Sequence, residues 1–171
     1  EANESNVLPD DRLAGLYYEY AMKCGNAFVA SWFEFNLNLN NILVSLSSRK
    51  FKADVAASVV GQGEVSTALR TSNARDFGLT GEVEYLEALV KASEIADLAE
   101  REKRLDALRW NWIEEATFFD YFDVELVFAF LLKSEMIERW LSLDKEKGNQ
   151  LFRGIIDGLR NEVSIPAEFL K

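Results

Sequence analysis

The chain has no histidine, one cysteine (Cys24), two prolines and only 19 bases against 29 acids. Without histidine, and with a single thiol, the sequence holds no zinc site built from Cys and His. It equally holds no Ser-His-Asp or Cys-His nucleophile. One cysteine makes no internal disulfide, which fits a reducing compartment. The formal net charge of -10 opposes phosphate binding, and no Lys/Arg cluster offsets it, so a nucleic-acid partner is not expected. The most apolar region, Phe118 to Leu132, is interrupted by Asp120, Asp123 and Glu125, so no direct membrane span is expected. Pro9 and Pro166 sit near the two ends, which leaves the middle free of obligatory helix breakers.

What is present is apolar surface in helical register. The composition is 49% apolar and 12% aromatic, enough for a packed core over 171 residues. Residues 10 to 24 read as a helix, with Leu13, Leu16, Tyr17, Tyr20 and Cys24 on one face and Gly25-Asn26 as a stop. The stretch FEFNLNLNN (33 to 41) alternates apolar and polar like a strand, but the alternation fails after Asn40. Phe28, Trp32, Phe35, Leu39, Ile42 and Leu46 instead step by four and three, one side of a helix about five turns long. Glu34, Asn38, Asn41, Ser45 and Ser48 form a polar stripe at the same spacing. Phe33, Leu37 and Val44 form a second apolar one, which marks a central helix packed on two sides. Asn38 and Asn41 are expected to hydrogen-bond to neighbouring helices.

Short helices are expected near 52–59 and 64–70, then a loop with Gly78 and Gly81. A helical run follows from Glu82 to Ala116, with a break near Ser93 to Asp97. Asp123 is placed to cap a helix reaching about Leu143. Asp144 or Asn149 opens a last helix with Leu151, Phe152, Ile155, Ile156 and Leu159, ended by Ile165-Pro166. The fold class is therefore all-α, a multi-helix bundle of long, partly buried helices. We expect a single domain over 1–171, with loop 71–81 as a module boundary. The start at Glu1 suggests the C-terminal part of a longer protein.

Several motifs invite chemical readings. Gly61-x-Gly63 before a helix resembles a dinucleotide turn, but Ser66 replaces the third glycine and no strands flank it, so a hinge between short helices is expected. Asp76-Phe77-Gly78 spells a kinase tripeptide without the rest of the kinase set. Cys24, near a helix C-terminus, reads as a structural thiol because that end disfavours a thiolate. Trp32, Trp110, Trp112 and Trp140 read as core. The run AEREKR (99 to 104) reads as a solvated face. Among carboxylates, Glu34, Glu135 and Glu138 lie on otherwise apolar helices, where a pair of acids can serve acid/base work or hold Mg²⁺. Their spacing selects no site, and we expect them to pair or hydrogen-bond across helices.

The segment WFEFNLNLNNILVSLSSRK (32 to 50) resembles a helix of the C/d-subunit family of V-type and A-type ATPases. That helix carries a Glu, an Asp four residues on, an Asn-Ile pair and a basic end. Glu34, Asn41-Ile42 and Arg49-Lys50 match, and Asn38 departs from the Asp. A second segment, VFAFLLKSEMIERW (127 to 140), resembles a later helix of the same family, through Ala129, Phe130, Leu131, Leu132 and Glu135. The chain as a whole is similar to an uncharacterised family of Bacteroides relatives encoded among V-type ATPase genes.

The resemblance implies helical modules like those of the C/d-subunit family, without catalytic residues or cofactors. It places them between the rotor shaft and the membrane ring, as partners, in a bacterial V-type ATPase. It implies a cytoplasmic location, peripheral to the inner membrane through those partners. Glu34, Asn38, Asn41, Glu135 and Glu138 then become structural or interface residues. Two other readings remain open at this point. One is a carboxylate-dependent enzyme or small-ligand binder in a helical pocket, and the other is an unrelated helical scaffold.

Overall fold

Eight helices and no strand occur among the described residues of the computed structural model, which describes the backbone over 9–162 and side chains over 10–158. The fold is all-α. The helices are α1 (Pro9–Met22), α2 (Ala27–Phe51), α3 (Val55–Ser58), α4 (Glu64–Thr71), α5 (Leu86–Ser93), α6 (Leu98–Ala116), α7 (Val124–Ser142) and α8 (Lys145–Glu162). The expected stop at Ile165-Pro166 and the Leu159 side chain lie outside the described residues.

Local chemistry sets the boundaries. Gly25 adopts φ +80, and Asn26 then caps α2 by accepting from the Val29 N–H at 2.9 Å. At the far end Lys52 takes the left-handed conformation, and its N–H returns to the Ser48 and Arg49 carbonyls. Asp97 opens α6 by accepting from the Glu100 N–H at 2.8 Å, so the break read from the sequence is a cap. Asp144, rather than Asn149, opens α8 through the N–H groups of Glu146 and Lys147.

The chain divides into two compact units, residues 1–129 and 130–171. Loop 71–81 lies within the first, where Phe77 and Leu79 are buried in its core. That unit is built around α2, which packs against α1, α3, α4, α5 and α6. Of the six residues stepping along one side of α2, all but the half-buried Leu46 are buried. Leu39, Ile42, Leu69, Leu89 and Ile113 are almost fully enclosed. The second unit holds the rest of α7 and α8, and Leu151, Phe152 and Ile155 of α8 are exposed.

Two faces differ from the periodicity reading. The apolar face of α1 is turned outward, with Leu13 at 68% and Tyr20 at 79% exposure. The helix instead meets α2 through the Tyr17 and Tyr18 rings, edge-on to Phe33 at 5.5 and 6.3 Å, while Ala21 is buried and a Cβ on Gly15 would touch Val60 at 3.5 Å. The polar stripe of α2, conversely, turns inward over Asn41, Ser45 and Ser48.

Ser45 is fully buried, and its Oγ has no hydrogen-bond partner among the described residues. Ser45→Ala therefore loses no bond and gains helix propensity. We expect it to stabilise the fold by about 1 kcal/mol, read as a rise in urea midpoint.

Candidate functional site

Three amide and guanidinium clips hold α2 to its surroundings. Asn41 donates to the Val60 carbonyl at 2.7 Å and to Ser66 Oγ at 3.2 Å, while its Oδ1 accepts from the Val60 N–H at 3.0 Å. Its expected bonding to a neighbouring element is thus present, to α4 and the α3–α4 turn. Asn36 joins α2 to α6, its Oδ1 accepting from Arg109 Nε at 3.2 Å. Arg109 also pairs with the buried Asp106 at 3.0 Å. Arg49 donates to the carbonyls of Ser72 (2.8 Å), Ala74 (2.5 Å) and Arg75 (3.2 Å), and its guanidinium lies 3.5 Å from the Phe77 ring centroid.

The glycine and kinase-like motifs take structural roles. Gly61 adopts φ +81 in the turn before α4, and its Cβ position would press on Leu37 at 3.0 Å, so the turn needs glycine. Asp76 accepts from the Gly78 N–H at 3.1 Å. The Thr80 side chain and that N–H hold its carboxyl below the usual range. Cys24 is exposed, its thiol 3.7 Å from the Asn26 carbonyl oxygen.

Beside α2 the first unit opens into a cleft of about 1200 Å³. Its aromatic wall is Phe28, Phe35, Tyr85 and Trp112, with Phe35 stacked on Trp112 at 5.2 Å and edge-on to Tyr85 at 4.9 Å. Seven carboxylates line it (Glu34, Glu82, Glu84, Glu115, Asp120, Asp123 and Glu125), and no Lys or Arg is among the described lining residues. These acids come from four separate stretches and are spread round the opening. No group of three or more His, Cys, Asp or Glu that could hold a metal occurs among the described residues. Glu125 Oε1 accepts from Asn26 Nδ2 at 2.8 Å and ties the start of α7 to the start of α2.

The five singled-out residues part company. Glu34 is exposed at the cleft, and Asn38 is half-buried in its wall. Asn38 makes no hydrogen bond to a neighbouring helix among the described residues, so that expectation fails. Asn36, outside the polar stripe of α2, carries the amide that reaches α6. Glu135 and Glu138 lie exposed on α7, in the second unit. Trp32 is buried, whereas Trp110, Trp112 and Trp140 are only half-buried, so the reading of all four as core holds for one. Sequence reasoning missed Tyr85 and the acids of 82–84 and 115–125 as one surface, because no local spacing joins them.

Burial, with Glu34 adding a smaller effect, pushes the Tyr85 hydroxyl up to about 12. The folded state thus keeps a proton that the unfolded chain releases near 10. This contribution to stability is complete below pH 10 and is lost as pH rises from 10 to 12. Tyr85→Phe should flatten that alkaline loss, measured by urea unfolding at pH 9 to 12. A slope equal to the parent's would contradict the assignment.

No helix among the described residues is long and apolar enough to cross a membrane. No curated protein and no solved structure matches the chain. A family model described as "Protein of unknown function (DUF2764)" matches residues 1–163, and the chain belongs to that family.

Proposed function

We propose that the chain is a non-catalytic adaptor of a bacterial V-type ATPase, like the C/d-subunit family, linking the rotor shaft to the membrane ring through protein interfaces. The observation that carries this reading concerns the residues of the α2 resemblance. Asn41 and Arg49 are the clips that fix a 25-residue helix to the 58–77 segment, and Glu34 is left exposed on an acidic, aromatic cleft. A coupling element has to transmit torque without yielding, and a long helix clamped along its length suits that task. It also has to present recognition surface, and the cleft and the outward aromatic residues supply it. ATP hydrolysis then belongs to partner subunits.

The test is purification of the rotary complex through a tag on this protein. Shaft and ring proteins are expected to co-purify in fixed ratio. Their consistent absence would end the assignment. The small-ligand reading keeps one observation in its favour, the aromatic wall of the cleft. Calorimetry with nucleotides and divalent ions is expected to give no heat of binding, and a saturable heat would move the balance to it.

A further inference from the structure

The connection from α6 into α7 has a composition that folding does not explain. From Trp110 to Leu132 the sequence carries five acids and no base. Phe118, Phe119, Tyr121 and Phe122 are 69%, 82%, 73% and 102% exposed. Four aromatic rings so exposed present on the order of 600 Å² of apolar side chain, as much as the largest patch of an ordinary monomer. That approaches the roughly 800 Å² which one side of a stable interface buries.

Phe122 is unusual in its backbone as well. Its φ is +64, a conformation that costs a bulky side chain about 1 kcal/mol or more and costs glycine nothing. The turn would be better served by Gly, and the ring touches solvent on all sides. Neither backbone nor core accounts for an aromatic residue there.

Charge decides what covers the patch. Asp120, Asp123 and Glu125 are interleaved with the rings and continue into the cleft, whose described lining has no base. A second copy would set these acids against themselves, and an anionic lipid surface or nucleic acid would be repelled. We propose that residues 118–127 and the adjoining cleft dock an amphipathic, Lys/Arg-rich helical segment of another protein. Apolar side chains of that segment meet the exposed rings, and its bases meet the cleft carboxylates. The proposal rests on the interface role above but not on the rotary motor.

The probe is a fluorescently labelled designed peptide with leucines on one helical face and lysines on the other, read by anisotropy. It is expected to bind, and to weaken as salt rises. Phe119→Ser combined with Phe122→Gly should weaken binding at least about tenfold, as loss of aromatic anchors does. Phe122→Gly alone should leave the unfolding midpoint unchanged or higher. Asp120→Asn with Asp123→Asn should also weaken binding about tenfold and flatten its salt dependence.

Equal binding of a leucine-glutamate peptide, or unchanged binding by both variants, would overturn the proposal. So would a dimer in sedimentation that vanishes with Phe122→Gly, or binding to phosphatidylserine vesicles in place of the peptide. Failure of the peptide while shaft and ring proteins still co-purify would remove this surface and keep the motor reading. Binding without co-purification would do the reverse.

Discussion

Asn41→Leu is expected to destabilise the protein by about 3 kcal/mol. Asn41 is 3% exposed, and its amide satisfies both the N–H and the carbonyl of Val60 together with Ser66 Oγ. Leucine removes all three bonds and leaves the half-buried Val60 N–H without its acceptor, a loss of about 1–3 kcal/mol for such a group. The branched side chain must also fit beside Ser66, which is fully enclosed, and overpacking adds a cost of similar size. Urea unfolding should show a lower midpoint with an unchanged slope. Asn40→Ala is the contrast. Asn40 is exposed and among the described residues hydrogen-bonds only the Tyr18 hydroxyl, at 3.1 Å, so its loss should cost less than about 0.5 kcal/mol. Equal effects at 40 and 41 would mean that the clip to Val60 is not holding α2.

The second large effect is expected at Arg49. Lysine keeps the charge but offers a single ammonium where the guanidinium fork spans the carbonyls of Ser72, Ala74 and Arg75 and covers Phe77. Phe77 is 1% exposed and sits at φ +58, so the 72–79 turn holds a strained backbone against the core. Arg49→Lys should cost about 2–3 kcal/mol, since hydrogen bonds to a charged donor are lost. The loss should appear first as local opening. Hydrogen exchange at the Gly78 and Leu79 amides, which bond to Asp76, should accelerate before that in α5 or α6. Uniform acceleration across the unit would show that the turn is not clamped by Arg49.

Much of this fold was legible because helix signals are local. The four-and-three stepping from Phe28 to Leu46 outlasted the strand-like alternation, and α2 runs from Ala27 to Phe51. Asp144 marked a helix start through chemistry that needs only a side-chain oxygen and a nearby N–H, and the break read up to Asp97 ends on a cap of the same kind. Orientation was less legible. Periodicity finds the Leu13–Tyr20 face of α1 but not that this face stays exposed while the Tyr17 and Tyr18 rings lean edge-on to Phe33. Arg49 was visible only as a basic end, since its partners are loop carbonyls that carry no side-chain signature. The division at residues 129 and 130 falls inside α7, where no glycine or proline marks it. The cleft joins residue 34 to residues 82–85 and 108–125, a set that only the tertiary fold assembles.

Electron cryomicroscopy of the intact rotary complex, purified through this chain, tests the adaptor role most directly. Density for α2 and its clipped neighbours is expected between the shaft and the membrane ring, turning with the rotor. A complete motor in which shaft and ring meet directly, with this chain absent or bound at the periphery, would contradict that role.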